Sequence, residues 1–262
     1  MALNKLIEVL KRSNGGAIAV SGGVDSMTLA YVANRYAEGY QIFHAISPAV
    51  PKAATARIKH YAKTENWRLN LINAQEIHDK NYNTNPVNRC FYCKTNLYTT
   101  IKNYTDLPIF SGTNVDDLSD YRPGLQAAER NNVCHPYVLA NIDKEAIRKI
   151  AYDFGLNELS VLPASPCLSS RIETGIAIDS TKLGIVEKVE SYIEERLNPK
   201  TWRCRVRPSG LHIELDDPTI SQISEHDKEQ IINSIQQLIS PFKYSIKIDN
   251  YIRGSAFIGR FK

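Results

Sequence analysis

The chain has 262 residues, 43% hydrophobic and 23% charged, enough for one large hydrophobic core or two smaller ones. Its 32 basic and 28 acidic residues leave a formal charge of +4, which argues against nucleic acid as the main partner and is compatible with anionic small molecules. No apolar run nears the ~18 residues of a membrane span and no secretory h-region opens the sequence, so a cytoplasmic protein with no membrane partner is expected.

"MALNKLIEVLKR" reads as a short amphipathic helix. After it, strand-like segments at Ala17–Val20, Gln41–Ile46, Arg68–Ile72 and Pro108–Ser111 are separated by helical stretches, notably Val24–Glu38 and Lys52–Glu65. This alternation predicts an α/β domain over residues 1–162, a doubly wound, mostly parallel sheet with helices on both faces. The polar stretch "DKNYNTNPVNR" reads as a flexible loop.

Residues 163–262 read as a smaller α+β domain. Asp179 or Ser180 can cap a helix whose stripe is Leu183, Val186, Val189, Ile193 and Leu197, and Asn198-Pro199 ends it. Strands are predicted near Arg203–Arg207 and Leu211–Leu215, a helical region over Ile220–Ile239, and a last strand over Lys243–Asp249.

Between the first strand and its helix stands Ser21-Gly22-Gly23-Val24-Asp25-Ser26. Gly22 and Gly23 permit backbone conformations and close approaches that a Cβ would block. Free N–H groups and the dipole at the helix start then favour phosphate. Ser21 and Ser26 add hydroxyl donors, and Asp25 can hold a metal ion that neutralises phosphate charge. The plainer reading is a tight strand-to-helix turn with an Asp/Ser cap. The pattern lacks the Gly-Lys-Ser/Thr of a Walker A loop. It resembles the PP-loop of ATP pyrophosphatases, enzymes that cleave ATP between the α- and β-phosphates and adenylate a substrate oxygen.

Five cysteines in a reducing compartment are free, metal-bound or catalytic rather than paired. Cys90 and Cys93 form a C-x-x-C between Arg89 and Lys94, positive charges that favour thiolates. Cys167 sits in the Pro/Ser-rich "LPASPCLSSRIETG". Structural zinc takes four protein ligands, whereas three thiolates on an iron–sulfur cubane leave one iron open. Cys134 and Cys204 read as structural, and His44, His60, His78, His135, His212 and His226 show no ligand spacing.

"WRCRVRPSG" places Arg203, Arg205 and Arg207 on one face of a strand, either solvated or facing a phosphorylated or carboxylated ligand. "SGTNVDDLSDYRPG" follows the fourth strand, where ligands of open α/β sheets bind; it carries Gly112, Thr113 and Arg122, and its plainer reading is a capped loop.

Together, Ser21–Ser26, Arg89–Lys94, Gly112–Gly124, Ser165–Arg171 and Arg205–Arg207 resemble the LarE family of PP-loop sulfur transferases. The resemblance implies an ATP-pyrophosphatase domain, a smaller second domain and a homo-oligomer. It implies adenylation of the carboxylates of pyridinium-3,5-biscarboxylic acid mononucleotide and their conversion to thiocarboxylates. ATP would lie on Ser21, Gly22, Gly23, Asp25, Ser26, Gly112 and Thr113, with Mg²⁺ at Asp25. Arg122, Arg171, Arg205 and Arg207 would hold substrate anions. Sulfur would come either from a [4Fe-4S] cluster on Cys90, Cys93 and Cys167, fed by sulfide or another donor, or from Cys167 itself. A tRNA thiolase, a GMP-synthetase relative and a non-catalytic nucleotide-binding module are the alternatives.

Overall fold

A computed structural model describes residues 2–119, 123–164 and 166–258. The chain divides into two compact units, Met1–Glu76 with Asn88–Ser165 and Ile77–Val87 with Pro166–Lys262. The division differs from a single cut at 162/163 because the segment 77–87 belongs with the second unit.

The first unit runs α1 (Ala2–Lys11), β1 (Gly16–Ala19), α2 (Val24–Tyr36), β2 (Tyr40–Ala45), α3 (Lys52–Thr64) and β3 (Leu69–Ile72). After the short α4 (Lys80–Asn83) of the second unit, it resumes with α5 (Arg89–Tyr104), β4 (Ile109–Ser111) and α6 (Pro123–Arg130). The short α7 (Pro136–Leu139), α8 (Lys144–Asp153) and α9 (Asn157–Ser160) complete it.

The four strands are all parallel, in the order β3-β2-β1-β4. Successive strand residues face opposite ways, so each strand feeds two cores. Ile18, Ile42 and Phe110 join one cluster with Leu6, Met27 and Ile147 from α1, α2 and α8. Ala17, Phe43 and Ile109 join another with Tyr98 and Ile101 of α5 and Ala127 and Ala128 of α6. Both faces of the sheet are therefore covered, as a parallel sheet requires. The Cys134 main chain continues the sheet beyond β4, donating to Ile109 O at 2.8 Å and accepting from Ser111 N at 3.0 Å.

In the second unit, α10 (Ser180–Leu197) precedes β5 (Trp202–Arg207) and β6 (Gly210–Leu215); α11 (Asp217–Gln222) and α12 (Glu225–Leu238) lead to β7 (Ile246–Asn250). The sheet order is β5-β6-β7, antiparallel then parallel. Its apolar residues Cys204, Val206, Leu211 and Ile213 are buried, as are Leu183, Val186, Val189 and Ile193 of α10 and Ile231 and Ile235 of α12. Asp179 caps α10 by accepting from Lys182 N at 2.8 Å, and Asn198, at φ +45°, ends it.

Two expectations are corrected here. The region 220–239 is two helices because Ser224 and Asp227 form a capping box that starts α12 afresh. The polar "DKNYNTNPVNR" is no free loop: Tyr82 and Asn85 are buried, and Tyr82 Oη pairs with Ser169 Oγ at 2.5 Å. Asn85, at φ +54°, donates from Nδ2 to the carbonyls of Ile172, Glu173 and Ile176 at 3.3, 2.8 and 3.0 Å. Among the described residues, no helix is long and apolar enough to cross a membrane.

Candidate active site

Strand order reverses between β1 and β4, and α/β sheets open their ligand crevice at the carboxyl ends flanking such a point. A cavity of about 220 Å³ lies there, lined by Ser21, Asp25 and Ser26 after β1, Gly112 and Thr113 after β4, and Lys94 of α5 among others. A larger depression of about 680 Å³, lined by Lys11, Ser13, Arg35 and Gly39, lies at the amino end of β1 and gathers no comparable chemistry.

The local fold follows from glycine and serine. Gly22 has φ +82°, and a Cβ on it would lie 2.9 Å from Ala54 Cβ. Gly23 takes the N-cap position of α2 without a side chain to cap it. The first N–H groups of any α-helix lack partners inside the helix, so an anion is the natural complement. Ser26 Oγ accepts from Ser21 N at 3.1 Å, lies 3.3 Å from Ser21 Oγ and donates to Gly23 O at 3.2 Å, bracing the turn. Arg57 Nη1 donates to Gly22 O at 2.8 Å.

Asp25 is the electrostatic centre. Burial pushes its carboxyl pKa up, the Lys144 ammonium hydrogen-bonded to it pulls it down, and Asp117 pushes it up again. Asn114 Nδ2 donates to it at 3.4 Å, and Tyr137 Oη donates to its backbone carbonyl at 3.0 Å. Beside the cavity, Ser111 Oγ lies 3.1 Å from Thr113 Oγ1 and 2.8 Å from His135 Nδ1. Burial lowers the His135 pKa, with Lys94 adding to the effect, so the ring is neutral near pH 7. Asn114 lies in the "SGTNVDDLSDYRPG" stretch that the sequence singled out, whereas Lys144 and Tyr137 carried no signal there, because nothing local marks a residue brought in by a distant helix.

Lys94 and Leu97 of α5 face the cavity. Cys90 lies four residues before Lys94 and Cys93 four before Leu97, so both thiols continue that stripe towards the helix start. Cys90 is exposed and Cys93 half-buried.

In the second unit, Cys167 is exposed at the N-cap of a 3-10 turn over Leu168–Arg171. Arg171 organises that turn: Nη1 donates to Pro166 O at 2.6 Å, Ser170 Oγ at 3.0 Å and Cys167 O at 3.3 Å. Its Nε and Nη2 grip Glu190, both at 2.9 Å. Arg205 Nε pairs with Glu214 at 2.9 Å and Nη1 donates to Ser170 O at 3.0 Å. Arg171 and Arg205, both expected to bind a substrate anion, are buried ion-pair partners of the chain's own carboxylates. Arg207 also donates to Glu214, at 2.7 Å, yet keeps a quarter of its side chain exposed. Arg122 lies outside the described residues.

Burial pushes the Cys134 thiol pKa up and the Cys204 thiol well up, so neither offers a ready thiolate. Among the described residues, no group of three or more His, Cys, Asp or Glu side chains is gathered as a metal site.

No family model matches the chain. It is 35% identical over 214 residues to slr1717 of Synechocystis sp., an alignment covering 78% of each chain. The chain belongs to the family of slr1717. It is also 28% identical over 230 residues to MJ0830 of Methanocaldococcus jannaschii, covering 86% of this chain and 84% of that one. Both relatives are described as uncharacterized proteins.

Proposed function

We propose that the protein is a PP-loop ATP-dependent sulfurtransferase resembling the LarE family, which adenylates carboxylates of a pyridinium-biscarboxylate mononucleotide and replaces AMP with sulfur. The observation that carries this reading is the convergence of Ser21, Asp25, Ser26, Gly112, Thr113 and Lys94 on one cavity at the carboxyl ends of β1 and β4.

In this mechanism the Gly22–Gly23 turn and the start of α2 hold the pyrophosphate end of ATP, and Lys94 neutralises phosphate charge. Asp25 would hold the Mg²⁺ that accompanies ATP, which when bound would neutralise phosphate charge, and Lys144, paired with Asp25, would offer its ammonium to the same phosphates. A carboxylate oxygen of the acceptor attacks the α-phosphorus; the α–β bridging bond breaks and pyrophosphate leaves. A sulfur nucleophile then adds to the acyl carbon and AMP departs with the bonding electrons. Positioning is the main catalytic contribution, since phosphoryl transfer asks little covalent chemistry of a protein. Of the expected anion-binding arginines, Arg207 fits the acceptor best because part of it remains exposed.

The donor chemistry fits a sulfur-ligated cluster: Cys90 and Cys167 are exposed and Cys93 half-buried, while burial disfavours thiolate at Cys134 and Cys204. Those three are the residues that would hold [4Fe-4S], which when bound supplies an iron able to take hydrosulfide. The alternative sulfur source is Cys167 itself. The proposal extends to a cytoplasmic homo-oligomer.

The test is anaerobic reconstitution with iron and sulfide counted per chain, followed by assay of AMP and pyrophosphate with the pyridinium acceptor. About four of each per chain, lost in Cys90→Ala, and acceptor-dependent AMP release support the reading. A mass loss at Cys167 of roughly 34 Da after turnover, without a cluster, assigns the sulfur to that cysteine. No AMP release with the acceptor overturns the proposal.

A further inference from the structure

At the β5–β6 hairpin and β7, three side chains outside the cavity form a hydrogen-bonded chain. His212 Nε2 lies 2.8 Å from Ser209 Oγ, and His212 Nδ1 lies 2.6 Å from Asp249 Oδ2. We propose that Ser209, His212 and Asp249 are a nucleophile–base–orienter site for acyl transfer from small esters of anionic carboxylic acids. It shares no residue with the ATP cavity and stands independently of the sulfur-transfer reading.

The proton inventory fixes the roles. An ionised Asp249 can only accept, so it holds the proton on Nδ1 and leaves Nε2 as acceptor. Ser209 then donates to Nε2, the arrangement that activates a serine hydroxyl. A nucleophile within about 3 Å of a base that a third group orients is the geometric signature of such sites.

The placement suits the chemistry. Pro208 and Ser209 form the two-residue turn between β5 and β6, and Ser209 is exposed where an ester can reach it. The turn is anchored at Gly210, φ +128°, where a Cβ would lie 2.1 Å from Ser245 O. His212 is buried on β6, and β7 brings Asp249 to its face, two residues beyond Lys247, its cross-strand neighbour. The hairpin is already closed by the ladder from Trp202↔Leu215 to Arg207↔Gly210, so the Ser209–His212 bond is not needed to hold it. The two cross-strand neighbours of His212 are basic: Arg205 is engaged by Glu214, while Lys247 is exposed and available to an anionic acyl group.

In the reaction Ser209 Oγ bonds to the acyl carbon as its proton passes to His212 Nε2. The ester C–O bond breaks, and the leaving alkoxide takes that proton. Water repeats the sequence on the acyl-serine and releases the carboxylic acid. Ser209 and His212 are the catalytic residues; Asp249 positions His212.

The test treats the full chain with a fluorophosphonate probe, which bonds through phosphorus to an activated serine and expels fluoride, and reads the adduct by intact mass and peptide mapping. The expected result is one adduct on Ser209, absent from Ser209→Ala, and labelling about 10²-fold slower in His212→Gln. Asp249→Asn slows labelling and Asp249→Glu restores it in part, a rescue that loss of folding would not produce. With p-nitrophenyl succinate the wild type gives a burst of p-nitrophenol, and Lys247→Met raises KM. An unlabelled Ser209, or equal labelling rates in wild type and His212→Gln, overturns the proposal.

Discussion

Gly112 stands so close to the first turn of α2 that a Cβ on it would lie 2.7 Å from Ser26 N and 2.9 Å from Asp25 C. Both neighbours are backbone atoms, which cannot swing aside as a side chain can. Gly112→Ala therefore has to push the segment after β4 away from the α2 start, the two walls of the cavity. The expected cost is about 1–3 kcal/mol of stability, with a weakening of the proposed ATP binding. Urea unfolding reads the first and calorimetric titration the second; wild-type values for both would show that this contact does not hold the walls in place.

The Asp25–Lys144 pair predicts a titration. Burial raises the Asp25 pKa and Asp117 adds to the rise, while Lys144 opposes both through its hydrogen bond and its charge. Lys144→Met leaves the raising causes with less opposition, so the Asp25 carboxyl should titrate at higher pH by carbon-13 NMR. The sign for stability follows: a folded pKa above the unfolded one means that the protonated form favours the folded state. That contribution is full below the unfolded value near 3.8 and is lost as pH rises through the folded pKa. In Lys144→Met the loss extends to higher pH, and an unshifted titration would contradict the assigned role of Lys144.

Glu214 predicts a stability effect. It is almost fully buried and accepts from Arg205 Nε at 2.9 Å, Arg207 Nη2 at 2.7 Å and Ser255 Oγ at 2.6 Å. Glu214→Gln leaves the buried Arg205 charge uncompensated, with an expected loss of about 3–5 kcal/mol in chemical denaturation. The pair Arg205→Met with Glu214→Leu should recover part of it, because the fully buried charge is then gone and only Arg207, a quarter exposed to water, loses its Glu214 partner. If the double variant is as unstable as the single one, packing and not charge dominates there.

The sequence shows the strand-to-helix turn at Ser21–Ser26 because the apolar strand, the two glycines and the helix all lie within one short segment. The same locality made the β5–β6 hairpin and the α10 stripe legible. What stayed hidden depends on partners far along the chain. Lys144 meets Asp25 across 119 positions, and Asn85 reaches the Ile176 carbonyl across 91. The carboxylate partners of Arg205 and Arg171 are not written in their own neighbourhoods: the β5–β6 pairing brings Glu214 to Arg205, and α10 brings Glu190 to Arg171. Tyr82 and Asn85 read as loop for the same reason: polar residues show no periodicity, and their burial depends on carbonyls and hydroxyls of the 169–176 segment.

The five cysteines predict an order of reactivity in the metal-free protein, set by access and thiolate cost. Cys90 and Cys167 are exposed and Cys93 and Cys134 half-buried, with the Cys134 thiol pKa raised by burial. Cys204 is buried on β5 with its pKa pushed well up. Native alkylation with iodoacetamide, followed by peptide mapping, should modify Cys90 and Cys167 first, Cys93 next and Cys134 slowly, with Cys204 protected until the chain is denatured. Arg171 refines this expectation, since its one guanidinium holds Pro166 O, Cys167 O, Ser170 Oγ and both oxygens of Glu190. A lysine has one point charge and cannot reproduce that planar fork. Arg171→Lys should therefore change the Cys167 alkylation rate and leave the Cys90 rate, set within the other unit, unaltered. Equal shifts at both cysteines would point to general loosening instead of a clamp on the Cys167 turn.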